Sequence, residues 1–99
     1  MAFVRLAFFP GGTADQYAAV AGELAAAPSP SGRLVFAAGA LEGGWQVVQV
    51  WERKEDLEAF NERWFLPAMH RLGGAGFPAP PSVQDFVSQD FWLAGTSAE

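Results

Sequence analysis

The chain contains no cysteine, which excludes disulfides, thiolate metal sites and a cysteine nucleophile. Six of its 99 residues are basic against eleven acidic, for a net charge of −5. The six, Arg5, Arg33, Arg53, Lys54, Arg63 and Arg71, are scattered along the chain. They form no patch to neutralise phosphates, so nucleic acid is not an expected partner. The single histidine, His70, shares a helical face with Glu62, Arg63 and Leu66. It reads as a solvated group near a helix C-terminus, and one histidine without a carboxylate cluster gives no metal site. No apolar run is long enough to span a membrane, and Met1-Ala2-Phe3-Val4-Arg5 lacks the charged-then-apolar build of a signal peptide. The expectation is a cytoplasmic domain holding no metal and no cofactor.

What is abundant is apolar surface. Half of the chain (51%) is hydrophobic and 14% is aromatic, too much for disorder and generous for a domain of this size. Burying one sheet face under helices still leaves apolar residues in need of cover, so oligomerisation is a physical expectation.

The pattern of elements is regular. Residues 2–9 form an apolar strand stopped by Pro10-Gly11-Gly12. Thr13-Ala14-Asp15-Gln16 matches a capping box, and Tyr17, Val20, Ala21 and Leu24 follow at helical spacing, predicting a helix over about 14–26. Pro28-Ser29-Pro30-Ser31-Gly32 ends it. A second strand covers 33–41, Glu42-Gly43-Gly44 supplies a hairpin turn, and a third strand covers 45–52. A second helix starts near Lys54 without a good cap and places Leu57, Phe60, Trp64, Phe65, Ala68 and Leu72 on its apolar side. Pro67 lies well inside it and predicts a kink near Arg63–Trp64. Gly73-Gly74-Ala75-Gly76 follows a helix rather than a strand, so it reads as a helix stop and flexible lid, not a phosphate cradle. Residues 83–92 read as a last strand, and 95–99 as a flexible tail after a single domain spanning 1–94.

The order β-α-β-β-α-β is that of a ferredoxin-like α+β fold, a four-stranded antiparallel sheet with both helices on one face. On strand one, Val4, Leu6 and Phe8 alternate with Phe3, Arg5, Ala7 and Phe9, and both sets are largely apolar. Strand two alternates Leu34, Phe36, Ala38 and Ala40 with Val35, Ala37 and Gly39. Two-sided apolarity under one layer of helices calls for a second cover, and a second copy of the same sheet is the simplest. The expected partner is therefore a homodimer mate on the open sheet face.

Three segments carry a family resemblance: Phe9-Pro10-Gly11-Gly12-Thr13, the strand Gly44-Trp45-Gln46-Val47-Val48-Gln49-Val50-Trp51-Glu52, and the helical Glu62-Arg63 with Leu66-Pro67-Ala68. Together they resemble the dimeric α/β-barrel superfamily, in particular uncharacterised relatives of the antibiotic-biosynthesis monooxygenase group. The resemblance implies sheet-to-sheet homodimers with a pocket between each sheet and its helices or within the barrel. Its known activities range from cofactor-free oxygenation of polycyclic phenols through polyketide cyclisation, haem degradation and isomerisation to none, so fold does not fix function. Close relatives carry histidines on strand two in a His-x-Ala-Gly pattern and on strand four in a His-Asn pair. The matching places here are Phe36 and Gln89, and helical histidines of the wider group fall near Phe60-Asn61. Imidazole acid–base chemistry and an axial haem ligand are therefore not expected at those places.

The remaining polar candidates are Asn61, Gln49 and Arg5. Asn61 falls within the apolar stripe of the second helix, where an amide either bonds internally or polarises a substrate oxygen. The resemblance implies the second role, with Asn61 and Trp64 as counterparts by character of an Asn and a Trp that hold a phenolic substrate. Arg5 pairs with Asp85 or Asp90 across strands, or else holds a carboxylate or enolate. Gln49 shares a strand face with Trp45 and Trp51, donates or accepts, and cannot act as a general base. Trp45, Trp51, Trp64 and Phe65, with Phe36 and Gln89, are candidates for the walls of an aromatic-lined slot suited to a planar ligand, though rings such as Trp51, Trp64 and Phe65 are more often core. Two functions stand: a small enzyme, either a cofactor-independent monooxygenase or a cyclase/isomerase on aromatic or polyketide-like substrates; or a non-catalytic homodimer that binds a small apolar ligand or none.

Overall fold

A computed structural model describes residues 1–94, so the expected tail at 95–99 lies outside the described residues. The elements are β1 (Phe3–Pro10), α1 (Ala14–Leu24), β2 (Arg33–Leu41), β3 (Gly44–Trp51), α2 (Lys54–Phe60), a π-helical turn (Asn61–Phe65), α3 (Leu66–Leu72), a 3₁₀ turn (Gly73–Ala75) and β4 (Ser82–Val87). The strands lie in the order β2-β3-β1-β4, and every pairing is antiparallel. This is the ferredoxin-like arrangement the element order implies.

Local chemistry sets the boundaries. At the start of α1 the Gln16 amide donates to Thr13 Oγ1 (3.2 Å), and Thr13 N–H donates to Gln16 Oε1 (3.0 Å), closing the capping box. Gly43, at φ +83°, supplies the left-handed residue of the β2–β3 connection. Gly44 lets β3 pass against β1, because a Cβ there would meet the Phe9 carbonyl oxygen.

The long second helix changes its hydrogen bonding one turn before Pro67, passing through a π-helical turn at Asn61–Phe65. Proline has no N–H for the preceding turn, and its ring would strike the carbonyl four residues back. The backbone answers by widening over Asn61–Phe65, where the Leu66 N–H bonds to the Asn61 carbonyl, five residues back.

The face of the sheet under the helices holds most of the core. Phe3, Ala7 and Phe9 of β1 are buried there beside Trp45, Val47 and Trp51 of β3. Trp51 and Leu57 are completely buried. The other face is apolar too, with Ala2, Val4 and Val50 forming a second buried cluster.

Two features depart from the sequence expectation. A bulge in β2 between Arg33 and Val35 puts Arg33 opposite Trp51, Val35 opposite Val50 and Phe36 opposite Gln49. Leu34 is the extra residue, and it packs with Val35 against the outer cluster instead of joining Phe36. Strand β4 ends at Val87, not near residue 92. There the Ser88 hydroxyl replaces a backbone acceptor by taking the Ala2 N–H (3.0 Å), while the Ser88 N–H donates to the Ala2 carbonyl (2.8 Å). The chain then turns, and Phe91 packs on the outer cluster. The second face is thus partly covered by the chain's own C-terminal segment.

Candidate active site

A cavity of about 410 Å³ lies between the sheet and the helices, within the range of small-molecule sites. Its floor is built on Arg5 of β1, Gln49 of β3 and Phe36 of β2, which stand in register, and Asp85 of β4 continues the row just outside the cavity. The pleat puts all four side chains on the helix side. Arg5, Gln49 and Phe36 line the cavity, together with Asn61 and Phe65 from the π-helical turn above them. Five of the nine residues proposed from sequence therefore meet at one place.

Arg5 holds Asp85 by two parallel bonds, Nε to Oδ1 and Nη2 to Oδ2, both 2.8 Å. This hydrogen-bonded fork holds the Asp85 carboxyl below its ordinary value, and raises that of Arg5. Asp90, the other sequence alternative, does not take this role.

Gln49 has one end committed. Its Oε1 accepts from the Trp51 indole N–H at 3.0 Å. Because an indole nitrogen only donates, the oxygen of Gln49 must face it, and the amide NH₂ is the end left over. Gln49 therefore offers the cavity a donor. Asn61 lies at the first position of the widened turn, and its side chain bonds to no described residue. An amide without an internal partner at the wall of a cavity is available to a ligand.

The other four candidates lie off the lining. Trp45 stands behind Tyr17, stacked on it at 5.0 Å between ring centroids. Trp51 is sealed beneath Gln49 and Phe60, 6.0 Å from the latter ring. Trp64 borders a separate surface hollow with Pro28 and Pro30, and Gln89 borders another with Ala2 and Trp92.

Among the lining residues not proposed as site residues from sequence are Arg33, Tyr17 and Phe77. Tyr17 was legible as an inward helical position, and its being a polar-tipped ring in that stripe was the missed signal. Phe77 stacks on Phe9 at 4.2 Å and anchors the Gly/Pro loop that the sequence suggests is a flexible lid. Arg33 was hidden by the β2 bulge. Its guanidinium lies over the Phe36 ring at 4.6 Å, and near Trp51 and Phe60 at about 6 Å. Burial lowers the pKa of Arg33.

The described lining contains no aspartate, glutamate or histidine. It offers donors (Asn61, Gln49, Arg33, Tyr17) and aromatic walls. Such a site can orient a ligand and polarise its oxygen atoms, while proton abstraction finds no ordinary base there. No group of three or more metal-binding side chains occurs among the described residues, and no described helix is long and apolar enough to cross a membrane.

No family model matches the chain, and no curated protein matches it. Among solved structures, it is similar to a provisionally assigned antibiotic biosynthesis monooxygenase from Bordetella bronchiseptica. That likeness has a TM-score of 0.64 at 19% sequence identity, and covers 88% of this chain and 96% of that one. It establishes the fold: this chain has the ferredoxin-like architecture seen in that monooxygenase-type protein.

Proposed function

We propose that the chain is a small-molecule-pocket protein working as a homodimer, and that its cavity takes a planar aromatic or polyketide-like ligand for cofactor-independent oxygenation. The observation that carries this reading is the cavity itself, where two amides without full internal pairing, Asn61 and Gln49, face aromatic walls. In this reading Asn61 and the Gln49 NH₂ hold a ligand oxygen, and the ligand supplies the electrons that reduce dioxygen. The likeness to a monooxygenase-type fold supports the reaction class.

A second reading, binding without catalysis, is favoured by the absence of a carboxylate or imidazole from the described lining. The two separate in one experiment. Quenching of tryptophan fluorescence is followed against a panel of phenols and quinones, in the wild type and in Asn61→Ala, with oxygen uptake measured on every compound that binds. Saturable quenching that weakens in Asn61→Ala supports the pocket, and oxygen uptake with it supports the enzyme. Binding without uptake supports the second reading. No binding, with Asn61→Ala only easier to unfold, removes both.

A further inference from the structure

The charge inside the cavity runs against the charge of the chain. The protein carries −5 overall, yet the described lining holds two arginines and no carboxylate. Asp85, just beyond that lining, neutralises one of them, Arg5. Arg33 has no such partner among the described residues. The nearby Asp56, against which Gly32 packs, is engaged by Arg53 at 2.9 Å. What Arg33 does touch is aromatic: Phe36 beneath it, with Trp51 and Phe60 at its sides.

We infer that Arg33 is the anion anchor of the cavity, and that the preferred ligand is an aromatic molecule carrying a carboxylate or an ionised phenol. Three physical points lead there. A guanidinium placed over a ring spends no hydrogen bond on it, so its fork of donors stays available to two oxygens of one anionic group. Contact with the Phe36 ring restrains the side chain before any ligand arrives, so less freedom is lost on binding. A half-buried cation without a carboxylate also carries a desolvation cost that an incoming anion relieves, consistent with the downward shift in its pKa. The rest of the lining is mostly apolar and aromatic, which sets the body of the ligand. Asn61 and Gln49 are then left for a neutral oxygen elsewhere on the same molecule.

This inference rests on the cavity being a ligand site, and the test separates the two. Naphthoate and naphthamide share a ring system and differ in charge, and their binding to the full chain is measured by calorimetry at neutral pH. The expected result is that naphthoate binds about tenfold more tightly than naphthamide, and that added salt narrows the gap. In Arg33→Gln the preference disappears while naphthamide binding is kept. Arg33→Met serves as a second neutral variant, because its unbranched side chain still packs on Phe36. Equal binding of the two probes by the wild type overturns the role of Arg33 and leaves the cavity reading intact. A preference that survives in either neutral variant overturns it as well, and assigns the anion to Arg5. If neither probe binds, the ligand site and the anchor fall together.

Discussion

The Arg33 guanidinium lies 4.6 Å from the centroid of the Phe36 ring, three residues along the same strand. In a regular strand, residues three apart point to opposite faces. The extra residue at Leu34 brings both to the helix side. Exchanging the ring for an aliphatic side chain tests the contact. Phe36→Leu keeps an apolar body and removes the π face, at an expected cost of about 0.5–1 kcal/mol. The urea midpoint should fall while the slope of the transition stays unchanged. No change in midpoint would mean that the stack contributes nothing to stability.

The bulge also shows what the sequence could and could not convey. Capping at Thr13 and Gln16, the turn at Gly43 and the helical stripe through Leu57 and Ala68 are local signals, and each lies where the pattern puts it. That Pro67 disturbs the helix ahead of it was legible, but the form of the disturbance, a widened turn with Asn61 at its head, was not, because several backbone adjustments relieve the same clash. Alternation along β3 correctly places Trp45, Gln49 and Trp51 on one face, yet it says nothing of depth. Trp51 is fully buried, with Leu57 and Phe60 packed around it, while Gln49 reaches the cavity. Arg33 was invisible because one inserted residue inverts every facing assigned before it.

The fork between Arg5 and Asp85 has a pH signature. Its carboxyl titrates lower in the folded chain than its ordinary value of 3.8. The contribution of the pair is therefore complete above the unfolded carboxylate range and disappears as pH falls through the folded value. The Arg5 side chain is 19% exposed and that of Asp85, on the open edge strand, 29%, so after solvent screening about 1 kcal/mol at most is expected. Chemical denaturation at a series of pH values should show the wild type losing stability below about pH 4 more steeply than Asp85→Asn. Parallel curves would show that the fork is energetically neutral. The same variant releases Arg5 into the cavity, so naphthoate affinity should rise in Asp85→Asn.

The bond from Trp51 to Gln49 is more costly to remove. The indole is fully buried, and Gln49 Oε1 at 3.0 Å is its acceptor. Gln49→Leu leaves that N–H buried without a partner, with an expected loss of about 1–3 kcal/mol. Gln49→Glu retains an acceptor oxygen and should lose less in thermal denaturation. An equal loss in both variants would move the explanation from the hydrogen bond to packing.

Assembly is tested on the outer face of the sheet. Leu6, Phe8 and Val48 lie there half-buried, and Phe86 of β4 is 52% exposed. Phe91 covers only the end near Ala2, Val4 and Val50. On both faces of β4 every residue is exposed, and Val83, Phe86 and Val87 gain no cover from the helices. An apolar edge strand of this kind invites pairing or burial by another chain. A second copy laid on this face would bury the rings that one layer of helices leaves out. Sedimentation at micromolar concentration should therefore give a dimer. Phe86→Glu puts a charge within the proposed contact and should shift the equilibrium to monomer, because an unpaired buried charge is costly. The far-ultraviolet spectrum should not change, since Phe86 is exposed within its own chain. A wild type that sediments as a monomer would remove the dimer, and leave the cavity to be completed by this chain alone.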